Sequence, residues 1–501
     1  MSGVVAAGHP LTAEAGAQVL REGGNAVDAA VCAVLASFAV ESPLTGFGAG
    51  GFMMVHEDGG ETALIDFFVA APGADGIERQ AELVGVPVHF DEETVQTFYV
   101  GPASCGVPGT AAGLETALAR FGSAPMSDLT APGIRLAREG APVNAEQAYI
   151  LDILEPIHSR LPGTRELYAP GGQPLREGDV FRFPELGDAL ERFASEGAEP
   201  FYRGDVAAAL SEFVVAGGGT LGPGDFAAYE ALGRRPIRAP FRGAEVLTNP
   251  PPSSGGILVA YCLGLLERLG SESGPEQLVA AMGAANAARG EAFAEALYSE
   301  GLEAELLDAA TLDRKAGDLL GSTTHISVLD GDGMCASVTC SNGSGSGVLV
   351  PGTGVILNNM LGEEDLNPLG FHAIPPGRRV PSMMAPTVVL RDGEIELGLG
   401  SAGSNRIRSA ILQTIVRAVE QGMSAGEAVR APRLHFEAGL VQAEPGIDEE
   451  ALARIEARGI PVARRPRINL FFGGVQAVAR DSTGTLSGGG DPRRGGAVAM
   501  A

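Results

Sequence analysis

The strongest constraint on the fold is a change of character near residue 322. Residues 297–322 carry many charges and no strong periodicity, and read as an exposed connection. Directly after them, Thr324–Leu329 and Met334–Cys340 alternate as strands do, around the turn Asp330-Gly331-Asp332-Gly333. Thr387–Leu390 and Glu394–Leu399 form a second strand pair around Arg391-Asp392-Gly393, and Ile407–Glu420 has apolar positions at helical spacing. Upstream, Thr12 is a candidate cap for a helix that Gly23-Gly24 ends. Asn25 then starts an apolar helix running to about Val40. A Gly-rich turn spans Gly46–Gly51, and Glu57-Asp58-Gly59-Gly60 marks a hairpin. Residues 105–145 and 205–295 read as mostly helical, the latter interrupted by the rigid turn Pro250–Gly256. Strand pairs covered by helices predict an α+β layered fold. The best boundary divides it into segments 1–322 and 323–501.

Composition narrows the function. The net charge of −27 opposes binding to nucleic acid and to anionic membrane surfaces. Lys315 is the only lysine, which argues against Schiff-base and Walker-type chemistry. The five cysteines are odd in number and contain no C-x-x-C, unlike a disulfide framework or a zinc site. None of the seven histidines is paired at metal-ligand spacing. Met1–Ala7 lacks a basic, then apolar, export pattern, and the run Ala29–Val40 is too short to span a bilayer. The expectation is a cytoplasmic protein.

Several motifs suggest chemistry and weaken on inspection. Gly46-x-Gly48-x-x-Gly51 follows a helix and precedes a strand, the wrong order for a dinucleotide site. Gly398-x-Gly400-x-x-Gly403 has the right order, but no second strand ending in an acid follows about 20 residues on. Gly403 and Ser404 instead present backbone N–H groups at a helix start, which suits a developing oxyanion; a plain strand-to-helix turn is the alternative. Asp330-Gly331-Asp332-Gly333 would need Glu at Ser341 to be a calcium loop. There remains Gly321-Ser322-Thr323-Thr324-His325, a hydroxyl residue at a strand start. A threonine hydroxyl needs an adjacent base to be nucleophilic. A chain break before Thr323 would supply one, because an α-amine titrates near pH 8. On pattern alone a threonine at a strand start is usually structural.

Thr323-Thr324-His325-Ile326-Ser327-Val328-Leu329-Asp330 closely resembles the junction of the γ-glutamyltranspeptidases, the glutathione hydrolase family. The resemblance continues through Gly23–Ala30, Gly50–Met53, Gly106–Thr110, Pro250–Gly256, Leu357–Asn359, Pro381–Pro386, Gly400–Arg406 and Asp491–Arg494, in family order. It implies a four-layer αββα N-terminal-nucleophile fold and a precursor that cuts itself between Ser322 and Thr323. Large and small subunits from that one precursor would stay together. It also implies attack on a small-molecule amide, an acyl-enzyme, and transfer to water or an amine, with no cofactor or metal.

Carried over by position, the resemblance makes Thr323 the nucleophile and its own amine the base. It places Ser341 as the supporting hydroxyl and Gly403 and Ser404 as the oxyanion donors. Glu363, or Glu364 one residue on, would hold a substrate α-amino group, and Ser382 would contact substrate. Three positions depart. Phe68 stands where the family has an arginine for the substrate α-carboxylate. Asn342, a candidate substrate contact, stands one residue before the family's amide; one step along a strand points to the other face, although the glycines that follow could rearrange the backbone. Met383 replaces a second serine. The cleavage machinery looks intact and the glutamyl recognition altered. Three readings follow: a γ-glutamyl hydrolase or transferase; an acylase for amides lacking that carboxylate, like the cephalosporin acylases; or a silent binding protein on the same scaffold. Arg79, or an arginine of the second segment, could replace the missing one.

The expected maturation is directly measurable. Intact mass spectrometry of the purified protein should show pieces of 322 and 179 residues, the smaller beginning at Thr323, before any trimming. Thr323→Ala should remain whole; efficient cleavage of that variant at the same bond would remove the nucleophile assignment.

Overall fold

The computed structural model describes residues 2–90, 95–270, 272–299, 301–307 and 323–501. Ser322, on the expected cleavage bond, and Lys315 lie outside the described residues.

The first sheet is built from β1 (Gly3–Ala7), β2 (Gly50–His56), β3 (Thr62–Phe67) and β4 (Leu232–Arg234). β5 (Ile237–Phe241) and β6 (Ala244–Thr248) enter the second sheet. After residue 323 come β7 (Thr324–Asp330), β8 (Cys335–Ser341), β9 (Thr387–Arg391), β10 (Glu394–Ala402), β11 (Gly474–Arg480), β12 (Leu486–Gly489) and β13 (Ala497–Met500). The seven-stranded first sheet runs β13-β1-β7-β8-β2-β3-β4, and the six-stranded second runs β12-β11-β10-β9-β6-β5. Every pairing within these two sheets is antiparallel. Both sheets draw strands from either side of residue 323, so neither segment holds a complete sheet.

Helices cover the outer faces. α1 (Pro10–Arg21) and α2 (Ala26–Val40) pack on the first sheet; α3 (Ser254–Leu269) and α4 (Arg406–Ile415) pack on the second. The order helix, sheet, sheet, helix is the predicted αββα layering. α2 is buried along its whole length, as an apolar sequence without a polar face requires. Asn25 caps it by accepting from the N–H groups of Val27 and Asp28, and the Asp28 carboxylate accepts from the Asn25 N–H. The Asp330 carboxylate accepts from the Ala26 N–H and from two N–H groups of its own hairpin turn. The supposed calcium-loop residues thus tie the β7–β8 turn to the start of α2.

Three local expectations are corrected. Thr12 does not cap α1; His9 does, accepting from the Leu11 N–H at 3.1 Å, with Pro10 starting the helix. Thr12 is buried one turn in, where its hydroxyl meets Glu41. The stretch 205–295 contains β4, β5 and β6 within what was read as helix. Ile237, Ala239 and Phe241 are buried between exposed Arg238 and Pro240, a period-two pattern too short to stand out. Arg242 and Gly243, at φ 50° and 78°, make the tight β5–β6 hairpin. The helix expected over Ile407–Glu420 is α-helical only to Ile415, and its last turn, Val416–Glu420, widens to a π-helix.

The two sheets meet through a narrow polar seam. His325 on β7 hydrogen-bonds with Thr339 of β8 and with Ser327, at 2.8 and 2.9 Å. Ser327 donates to the Gln476 carbonyl and Ser337 to the Leu399 carbonyl, both on the opposite sheet. Burial holds the His325 ring neutral, with its pKa lowered to about 3. Gly398 and Gly400 face this seam. A Cβ on Gly400 would lie 2.2 Å from His325 Cε1, and one on Gly398 2.4 Å from Cys335 Sγ. The glycine motif therefore serves close sheet packing, not a phosphate.

Gly400→Ala tests this. Overpacking of this kind costs about 1–3 kcal/mol, so the urea midpoint should fall while the unfolding slope stays constant. An unchanged midpoint would show that the sheets yield at this point.

Candidate active site

Thr323 immediately precedes β7 and is 4% exposed. Strand alternation turns its side chain, like those of His325 and Ser327, toward the second sheet, and turns Thr324 toward α2. Thr323 Oγ1 donates to Ser341 Oγ at 3.4 Å, and Ser341 Oγ accepts from the Gly343 N–H at 2.8 Å. Arg494 Nη1 donates to the Thr323 carbonyl at 3.4 Å. A buried ionic cluster holds the segment that carries Arg494. Arg433 pairs with Asp491 at 2.7 Å, and Arg493 pairs with both Asp491 and Glu444.

The hydroxyl looks into a small cavity of about 20 Å³, lined by Ser341, Phe68, Glu363, Ser382 and Ser404 together with three methionines, Met360, Met383 and Met384. It adjoins an outer cavity of about 480 Å³, with which it shares Asp365 and Met383. Thr323, Ser341, Glu363, Ser382, Ser404 and Phe68 are therefore brought together from six separate stretches of chain.

Gly403 and Ser404 link β10 to α4 with φ angles of 116° and 51°. A serine in the left-handed region is strained, and such residues persist only where their surroundings hold them. Here Ser404 Oγ makes a short hydrogen bond to the Asp365 carboxylate. The loop thereby presents its backbone at the head of α4, beside the cavity that contains Thr323.

Glu363 Oε1 accepts from the Ser344 N–H at 2.9 Å. Glu363 and Asp365 are both buried, and burial raises both carboxyls above their usual range; the neighbouring Asp365 adds to the rise at Glu363. Of the two acids the sequence could not separate, Glu363 lines the inner cavity and Glu364 the outer one. Ser382 is held from both sides: its hydroxyl accepts from the Met384 N–H, and its carbonyl accepts from Ser253 Oγ and the Ser254 N–H. The Pro250–Gly256 segment thus grips the Ser382 stretch.

Asn342 is not brought into the cavity. Its amide nitrogen lies toward Gly46, on the far side of the strand, and Gly343 lines the cavity in its place. The reason is the alternation noted in the sequence: Ser341 faces inward, so Asn342 faces out. Gly343, at φ 69°, lets the backbone pass Glu363, where an added Cβ would meet Oε1 at 2.5 Å. Phe68 lines the cavity, is fully buried, and stacks on Phe52 with centroids 5.3 Å apart. Arg79 does not replace the missing arginine; it sits 3.9 Å from exposed Glu82 and lines neither cavity. Arg234 and Arg379 both pair with Asp66, whose carboxylate also accepts from the Phe68 N–H. Asp365, Arg289 in the outer cavity, and the contact of Arg494 with Thr323 were not legible in the sequence. They depend on a 3-10 turn and on contacts between residues more than a hundred positions apart.

Two face-to-face antiparallel sheets between helical layers, with a hydroxyl residue leading a central strand, define an N-terminal-nucleophile hydrolase. The chain belongs to the γ-glutamyltranspeptidase family, whose model matches residues 12–501. It is an amide hydrolase of that family. It is 35% identical to the acylase ACY 1 proenzyme of Pseudomonas sp. (strain V22), over 97% of this chain and 91% of that protein. It is 31% identical to the glutathione hydrolase proenzyme of Escherichia coli (strain K12), over 98% and 90%. Among solved structures, the cephalosporin acylase from Bacillus halodurans superposes with a TM-score of 0.84 at 26% identity, covering 99% of this chain and 95% of that one.

Ser341→Ala should slow self-cleavage and turnover together. The lost hydrogen bond is worth about 0.5–1.5 kcal/mol, or roughly threefold to tenfold in rate, and Ser341→Thr should restore it. Time-resolved mass spectrometry measures the first rate; wild-type cleavage in Ser341→Ala would exclude the contact from the mechanism.

Proposed function

We propose that the chain is made as a precursor that cuts itself before Thr323, and that the mature enzyme is an acylase for amides whose acyl group lacks a free α-carboxylate. In this reading Thr323 Oγ1 attacks the amide carbonyl while the new α-amine takes its proton. The N–H groups of Gly403 and Ser404 receive the developing oxyanion. The amine then protonates the leaving group, an acyl-threonine remains, and water or a second amine takes the acyl group. Ser341 keeps the hydroxyl aimed into the cavity.

The observation that carries the substrate class is the wall at Phe68. A carboxylate entering a closed pocket must replace its water contacts, and a bidentate arginine does this. No arginine lines the inner cavity among the described residues, and Arg234 and Arg379 are engaged by Asp66, whose carboxylate also accepts from the Phe68 N–H. Losing such a pair weakens recognition by roughly 10²–10³. A specific observation supports a γ-glutamyl component as a second reading: Glu363 and Asp365 would suit a substrate ammonium. Five free, buried cysteines support a reducing compartment, and we place the enzyme in the cytoplasm on that ground.

A substrate panel on the wild-type enzyme decides between the two. Turnover of γ-glutamyl anilide and glutathione should be weak, and that of anilides with uncharged acyl groups stronger. Ordinary efficiency on glutathione would overturn the substrate class and leave the nucleophile in place. A pH series adds an independent check. The raised carboxyls of Glu363 and Asp365 take up protons above the usual carboxylate range. KM for an ammonium-bearing acyl group should therefore rise as pH falls from neutral, while KM for a neutral acyl group stays flat. Parallel profiles would remove the two acids from ammonium binding.

A further inference from the structure

The mechanism leaves one buried acid beside the nucleophile unused. Glu41 directly follows the end of α2 and is 1% exposed. Its Oε2 accepts from Thr324 Oγ1 at 2.6 Å, and its Oε1 accepts from Thr12 Oγ1 at 2.8 Å. Thr324 is the residue after the nucleophile, and its side chain leaves the opposite face of the same strand. On the other side, Arg494 donates to the carbonyl that joins Thr323 to Thr324. Glu41 and Arg494 attract each other across this peptide unit.

The space for the carboxyl is made by backbone. A Cβ on Gly8 would lie 2.4 Å from Glu41 Oε2 and 3.1 Å from Thr324 Oγ1, so only glycine admits the carboxyl there. An apolar side chain would fill the same space without the desolvation penalty of a buried acid. Burial raises the Glu41 carboxyl, while its two hydroxyl partners and Arg494 oppose the rise.

We propose that Glu41 is a positioning residue for the nucleophile: it clamps the Thr324 hydroxyl from the α2 side, while Arg494 holds the Thr323 carbonyl. Thr323 is then restrained at three points. These are its side chain by Ser341, its carbonyl by Arg494, and the next side chain by Glu41. This restraint acts on the strand start, where fraying would swing the hydroxyl away from the carbonyl it attacks. The inference rests on Thr323 being the nucleophile.

The test compares Thr324→Val, Thr324→Ser and Glu41→Gln with wild type, following the rate of self-cleavage and then kcat and KM of the processed enzyme. Thr324→Val keeps shape and removes the donor. Small displacements of a reacting group cost large factors, so Thr324→Val and Glu41→Gln should each lower the cleavage rate and kcat about tenfold or more, with KM little changed. Thr324→Ser, which keeps the hydroxyl, should recover most of the loss. The losses in the double variant should fall short of the product of the two single losses, because both changes act on the shared Glu41–Thr324 contact. If Glu41→Gln fails to fold, Thr324→Val carries the same test. Wild-type cleavage and kcat in folded Thr324→Val, or a fall in melting temperature alone, would overturn the inference. Thr323→Ala runs in parallel. If it stays whole and inactive while the other variants match wild type, only the clamp fails; if it still cleaves and turns over, the nucleophile reading fails with it.

Discussion

The close approach of the two sheets at Gly398 and Gly400 is the constraint on which the site depends. Nothing larger than hydrogen fits between β10 and the His325 ring, so β7 and β10 are held at a short, set separation. Thr323 lies at the end of β7, and the Gly403-Ser404 loop at the end of β10. The separation of Thr323 and the loop is therefore inherited from the seam. Its polar contacts, from Ser327 and Ser337 to carbonyls across the gap, add direction to what apolar packing alone would leave free to slide.

A second layer of control is electrostatic. The cluster of Arg433, Asp491, Arg493 and Glu444 is buried and mutually paired, which is costly unless each member is satisfied. Its value lies in geometry: it fixes the turn from which Arg494 reaches the Thr323 carbonyl. Glu363, Asp365 and Glu41 are further buried acids near Thr323. All three carboxyls are raised by desolvation, and each meets at least one N–H or hydroxyl donor. The net charge of −27 counts these buried groups with the exposed ones and so does not reveal their arrangement.

Much of the architecture is legible in the sequence. Asn25 as the start of a wholly apolar helix, the hairpins at Glu57–Gly60 and Asp330–Gly333, and the strands on either side of them follow from local rules of capping and alternation. Asn342, carried over as a substrate contact, is turned away from the cavity, and the alternation that places Ser341 inward outweighs the freedom of the glycines after it. The strands β5 and β6 were not legible, because a five-residue alternation of Ile237, Arg238, Ala239, Pro240 and Phe241 is too short to override a helix-like surrounding composition. In the Gly398–Gly403 motif the loop role of Gly403 was readable, but the sheet packing at Gly398 and Gly400 was not.

By itself the sequence determined the local elements, the threonine at a strand start, and the family to which the whole chain corresponds. These are properties of neighbouring residues, or of their order. Only the tertiary structure decided that Phe68 walls the cavity while Arg234 and Arg379 are engaged by Asp66. It likewise decided that Glu363 rather than Glu364 lines the inner cavity, and that Glu41 and Arg494 bracket the Thr323–Thr324 start of β7. Those choices join segments far apart in the chain. Which of several arginines or carboxylates reaches a given point is set by packing and desolvation, which no local pattern encodes.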